Sequence, residues 1–146
     1  MISQTAEYAL RAIVYLADKG DVPQTTQQIA EVTRVPAGYL AKVMQTLGRS
    51  GIVRAQRGLH GGFTLAVAPG ELTVLDVVQA VDPVQRIEHC PLGIPSHKSL
   101  CPLHARLDET AAMVEKALGA STIAEMLTSS KQGGMPKPLY PNENEG

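Results

Sequence analysis

Residues 36–66, PAGYLAKVMQTLGRSGIVRAQRGLHGGFTLA, restrict the fold of this chain more than any other stretch. Pro36 suits the first turn of a helix, because its ring presets φ and the N–H it lacks has no partner there. Leu40, Val43, Met44 and Leu47 follow at i, i+3, i+4 and i+7, one apolar face at helical spacing. Gly48 weakens the last turn, and Gly51 is a natural stop. Two β-rich runs, 52–56 and 62–67, flank Arg57-Gly58-Leu59-His60-Gly61, which predicts a hairpin with a glycine-rich tip. Between Val32 and Gly70 lie five basic residues, Arg34, Lys42, Arg49, Arg54 and Arg57, and no Asp or Glu. A helix joined directly to a basic hairpin, with no acidic residue in either, predicts a winged helix that meets DNA.

The flanking segments fit that frame. Ser3 can cap a first helix through about Asp18, with Ala6, Leu10, Ile13, Val14 and Ala17 as its apolar face. Asp18-Lys19-Gly20-Asp21 breaks it, and Val22-Pro23 is expected to form a short extended link. Thr25-x-x-Gln28 matches a capping box and opens a short helix through Thr33. Arg34-Val35 is then the tight turn of a helix-turn-helix, the arrangement that lays its second helix in the major groove. Downstream, 71–81 reads as a short helix capped at Thr73, and 83–100 as a loop interrupted by Pro91, Gly93 and Pro95. From Pro102 to Leu118 the apolar residues Leu103, Leu107, Ala111, Val114 and Leu118 form one stripe on a long helix. Such a stripe needs a partner, and pairing with a second copy is the simplest one. Thr122-x-x-Glu125 caps a last short helix ending near Leu127.

Glu7-Tyr8-Ala9-Leu10-Arg11, Tyr39-Leu40, Leu47, Gly51 and Arg57-Gly-x-x-Gly61-Gly62-Phe63 occur in an order that continues through 73–78 and Ala80-Val81-Asp82 to the cysteines. Over roughly residues 1–128 the chain thereby resembles the Rrf-two family of bacterial winged-helix regulators. The resemblance implies a homodimeric transcription factor with a long C-terminal dimerisation helix. The expected fold is mainly α with a small β-hairpin wing. The expected organisation is a winged helix-turn-helix domain over 1–82, a sensor loop over 83–101, a dimerisation helix and short last helix over 102–128, and a disordered tail over 129–146.

Two groups of residues carry candidate chemistry. Lys42, Gln45 and Arg49 fall on the polar side of the second helix of the motif, with Tyr39 near its start. Thr25 and Thr26 open the preceding helix, where N–H groups and hydroxyls can hold a phosphate. Arg54, Arg57 and His60 belong to the hairpin, whose tip arginine can enter a narrow minor groove. The competing reading is that these are ordinary solvated side chains, and that Tyr39 packs in the core.

The second group is Cys90-x6-His97-x3-Cys101-x2-His104, with His89 adjacent. Thiolate and imidazole ligands suit iron–sulfur centres and zinc alike, and two thiols in a loop can also form a redox switch. In cluster-binding members of the family this loop carries three cysteines, the last followed by a histidine. Cys90 and Cys101-x-x-His104 match the outer positions; the middle cysteine is absent, and His97 lies near its place without being in register. The occupant therefore stays open among an iron–sulfur cluster of the [2Fe–2S] type, zinc, and bare thiols acting as a switch, beside the plain reading of packing cysteines with histidines nearby by chance.

Composition narrows the rest. The 146 residues include no Trp and one Phe, so the core must be aliphatic and alanine-rich. No apolar run approaches the roughly 18 residues that span a bilayer, and no signal-peptide pattern opens the chain, so a cytoplasmic protein without a membrane partner is expected. Cysteines there are reduced or metal-bound rather than in a structural disulfide. The loop offers no elbow or helix to activate a cysteine nucleophile, and no phosphate loop or dinucleotide fingerprint is present. A winged helix used only for protein contacts is disfavoured by the acid-free run. The sequence thus predicts a homodimeric regulator, expected to repress, that binds a double-stranded operator and senses redox state, nitric oxide or iron–sulfur status through its cysteine loop.

Overall fold

The computed structural model describes residues 2–93 and 99–129. Helix α1 runs over Gln4–Lys19, α2 over Thr26–Thr33, α3 over Ala37–Arg49, α4 over Val74–Val81, α5 over Pro102–Gly119 and α6 over Ile123–Ser129. The strands β1, Val53–Gln56, and β2, Gly62–Leu65, pair antiparallel with Val53 opposite Leu65 and Gln56 opposite Gly62. His97 and residues 130–146 of the expected 129–146 tail lie outside the described residues, while Ser129 ends α6.

Local sequence sets the helix ends. Ser3 Oγ accepts from the Ala6 amide at the start of α1. Thr25 and Gln28 form the full reciprocal capping box of α2, and Thr73 and Asp76 do the same for α4. Helix α3 ends in a Schellman motif: the Ile52 amide bonds to the Leu47 carbonyl, the Gly51 amide bonds to that of Gly48, and Gly51 sits at φ 77°. Pro36 is the N-cap of α3 rather than its first helical residue, because its extended backbone still belongs to the turn. That turn pivots on Arg34, a non-glycine in the left-handed region at φ 58°.

Helix α1 occupies the centre. It touches α2, α3, α4, α6 and β2, and Ala6, Ala9, Ala12, Ile13, Val14, Tyr15 and Leu16 are all buried. The expected stripe through Leu10 and Ala17 was too narrow: those two are half-buried, since a helix with neighbours on most sides has little solvent face to spare. Its alanines let those neighbours approach closely. On α3 the buried set is Leu40, Val43, Met44 and Leu47, the predicted face.

Just after the expected link at Val22-Pro23, Gln24 joins the wing by a single bridge to Phe63. Gln24 exchanges both backbone hydrogen bonds with Phe63, at 3.1 and 2.7 Å. Its buried amide accepts from the Tyr15 hydroxyl at 2.8 Å, which joins α1, the wing and the start of α2. Backbone approaches Gly62 so closely here that a Cβ would lie 2.6 Å from the Gln24 carbonyl carbon. At the other end of the molecule, the Ile123 amide bonds to the Leu72 carbonyl and the Val74 amide to that of Ser121. These bonds seat Ile123, fully buried, in the main core. Helix α6 therefore returns to α1 after α5 has run outward along α4.

Candidate nucleic-acid interface and thiol–imidazole site

Lys42, Gln45 and Arg49 lie exposed along α3 at i, i+3 and i+7, on the side opposite its buried face. Arg54 is exposed on β1, and Arg57 and His60 stand on the hairpin tip beside Leu59, which is 95% exposed. Among the described residues, none of Lys42, Arg49, Arg54 and Arg57 takes part in an ion pair. Thr25 is exposed and Thr26 half-buried at the start of α2. The Thr25 oxygen accepts from the Gln28 amide, which leaves its hydroxyl proton free to donate outward.

Tyr39 is divided between two roles. Its ring meets Tyr8 edge-on at 5.5 Å, and its hydroxyl pairs with that of Thr5, yet it remains 40% exposed. Arg11 completes this seam: it stacks on Tyr8, pairs with Glu7 at 2.7 Å and donates to the Thr33 carbonyl at the end of α2. The first turns of α1 thus brace both helices of the helix-turn-helix.

The second site forms where the loop after α4 crosses the start of α5. Arg86 holds Asp108 with two bonds of 2.8 and 2.9 Å, and the Ile87 amide donates to the same carboxylate at 2.8 Å. The Arg86 hydrogen bonds, helped by the Ile87 amide, hold the Asp108 carboxyl well below its usual range, down to about 2. Glu115 adds a longer contact to Arg86, 3.6 Å. Sequence reasoning missed this anchor. Arg86 and Asp108 are ordinary polar residues 22 positions apart, and no local pattern pairs them.

Cys90, Cys101 and His104 come together just beyond that anchor. The His104 Nδ1 lies 2.9 Å from the Cys101 Sγ and 4.0 Å from the Cys90 Sγ, and the three donor atoms all fall within 4.8 Å of one another. Cys101 is the N-cap of α5 and makes no side-chain capping bond, so its sulfur is available to the histidine one turn on. His89 is exposed, and His97 lies outside the described residues. The donor types suit a metal. A [2Fe–2S] cluster, however, takes four protein ligands, two on each iron, and the described residues supply three gathered around one point. They do not complete a cluster's ligand set.

A helix-turn-helix with an antiparallel hairpin packed beside it is a winged helix, and that is the fold class of this chain. The family described as "Rrf2: Iron-dependent Transcriptional regulator" matches residues 2–129, so the chain belongs to the Rrf2 family, a family of transcriptional regulators and not of enzymes. It is 32% identical over 133 residues to a protein of Aquifex aeolicus named as an HTH-type transcriptional regulator, covering 87% of this chain and 91% of the relative. An rrf2-like HTH-type regulator of Rhodobacter capsulatus is 32% identical over 121 residues, 80% of this chain and 77% of that one. Among solved structures it is similar to CymR, the global cysteine regulator of B. subtilis, with a TM-score of 0.72, 22% identity, and coverage of 88% of this chain and 97% of that one. Its likeness to T. potens IscR has a TM-score of 0.73 at 22% identity, covering 93% of both chains. At that identity both structures speak for the fold. No helix among the described residues is long and apolar enough to cross a membrane.

Proposed function

We propose that this Rrf2-family regulator is a sequence-specific DNA-binding repressor that acts in the cytoplasm as a homodimer, with Cys90, Cys101 and His104 as its sensor. The observation that carries the DNA reading is the acid-free surface of α3 and the wing, where Lys42, Gln45, Arg49, Arg54, Arg57 and His60 are all exposed. Helix α3 enters the major groove, Thr25 and Thr26 hold a phosphate at the start of α2, and Arg57 reaches the adjacent minor groove. The Thr5 and Tyr8 contacts fix Tyr39 at the edge of that surface, so its exposed face also meets the DNA backbone.

Dimerisation is supported by α5, an 18-residue helix with no buried residue. Leu103 and Leu107 are 63% and 50% exposed. Between α5 and α4 runs a groove of about 400 Å³ lined by Ile2, Val78, Val84, Leu107, Ala111 and Val114. A second copy of α5 would cover Leu103 and Leu107 together with the half-buried Ala111 and Val114, whereas Leu118, expected on the same stripe, packs against this chain's own core. A sensor event that ties Cys90 to the start of α5 shifts the dimerisation arm relative to the reader. It thereby changes the spacing of two recognition helices, which must match the repeat of about 34–36 Å. A switch of this kind changes DNA affinity by about 5–150-fold.

The test is operator affinity against salt. Lys42→Ala and Arg49→Ala are expected to weaken binding to any duplex and to lower the salt slope by about one each. Arg57→Ala is expected to cost more on the operator than on random DNA. Wild-type protein without measurable preference for any operator over random duplex would overturn the reading.

A further inference from the structure

We infer that Cys90, Cys101 and His104 hold one divalent transition-metal ion in a tetrahedral site, and not an iron–sulfur cluster. This deepens the sensor reading and rests on it only for its effect on DNA. Around a single ion, with metal–sulfur bonds of about 2.3 Å and metal–nitrogen bonds of about 2.0–2.1 Å, tetrahedral geometry puts neighbouring donors about 3.5–3.8 Å apart. The two sulfur–nitrogen separations, 2.9 and 4.0 Å, bracket that edge. All three donors lie within 4.8 Å of one another, so a closure of about 1 Å around an ion brings them to the tetrahedral edge. Ligands on the two irons of a cluster stand on opposite sides of its core and need a wider spread.

The fold makes this close grouping a built feature. His104 and Asp108 lie at i and i+4, on one face of α5. The loop runs back along that face, with Ile87 bonded to Asp108 and Cys90 placed over His104. Cys101-x-x-His104 occupies the first turn of α5, with both donors turned to the same side. The Arg86–Asp108 pair thus fixes the loop four residues before Cys90 and limits how far its sulfur can withdraw. Zinc and iron(II) share a preference for this thiolate and imidazole set. Three protein donors leave the fourth tetrahedral position open to a water, as in zinc sites with three protein ligands.

The experiment loads anaerobic, metal-stripped full-length protein with Zn²⁺, with Co²⁺ as a spectroscopic reporter, and separately with iron and sulfide. The expected result is one ion per chain, the visible bands of tetrahedral thiolate-ligated cobalt, and no retained acid-labile sulfide. Cys90→Ser, Cys101→Ser and His104→Ala are each expected to weaken Co²⁺ binding beyond the roughly 10–100-fold typical of losing an outer-shell partner. Circular dichroism of the variants separates lost ligands from lost fold. Retention of two irons and two sulfides per chain overturns the single-ion site. So does protein that takes up no ion. One bound ion that leaves operator affinity unchanged upholds the site and sinks the sensor reading instead.

Discussion

Helices α3 and α5 carry similar apolar stripes and meet opposite fates. On α3, Leu40, Val43, Met44 and Leu47 are between 0 and 3% exposed, because α1, α2 and α4 close around them. On α5 no residue is buried; its packing within the chain is chiefly on α4. Leu118 near its end is drawn toward the core, while Leu103, Leu107 and Met113 stay exposed. An apolar stripe records a need for a partner without saying which chain supplies it. The half that carries α3 meets that need internally. The arm leaves it unmet, and the proposed dimer is what would meet it.

The comparison breaks most visibly at the arm. Replacing Leu107 and Val114 together with Glu is expected to give folded monomers whose operator affinity falls at least about 100-fold, since a dimer's two half-sites would then be bound separately. Light scattering and an operator titration check this. A variant that stays dimeric would move the interface elsewhere.

Single truncations should differ in kind as well as size. Leu40→Ala opens a cavity in a closed core and should cost about 2–5 kcal/mol at any protein concentration. Leu103→Ala should cost within about 0.5 kcal/mol in dilute, monomeric protein, with a larger cost appearing only as dimers form. Denaturant unfolding at two concentrations distinguishes them. Equal, concentration-independent losses would mean that α5 is buried by its own chain.

The smallest effect concerns the anchor between loop and arm. Asp108 has a folded pKa of about 2 against an ordinary 3.8. Its contribution is therefore complete above the ordinary value and lost as pH falls through about 2. The Ile87 amide resonance should accordingly inflect near pH 2 and not near 4. Asp108→Ala should speed hydrogen exchange at Ile87 and leave the unfolding midpoint of the core unchanged. An inflection near 4 would show that the Arg86 pair does not form in solution.

The chain's local chemistry was legible without coordinates. The caps at Ser3, Thr25 with Gln28, Thr73 with Asp76, and Thr122 with Glu125 each close over three residues, and all four form. The buried face of α3, the glycine stop at 51 and the hairpin with its tip at 57–61 also depend only on neighbours along the chain. Exposed positions for Lys42 and Arg49 followed from the helical period, and that of Arg57 from the glycine-flanked tip.

Tertiary structure alone decided what distant segments do to one another. It buried Tyr15 and Leu16 by surrounding α1, and it placed Gln24 between α1 and the wing. It paired Arg86 with Asp108 across 22 residues, and it brought Cys90 to a histidine that 14 residues separate from it. Helical and strand periods report which way a side chain points from its own backbone. They carry no record of which other segment arrives on that side, because that is settled by the packing of the whole chain.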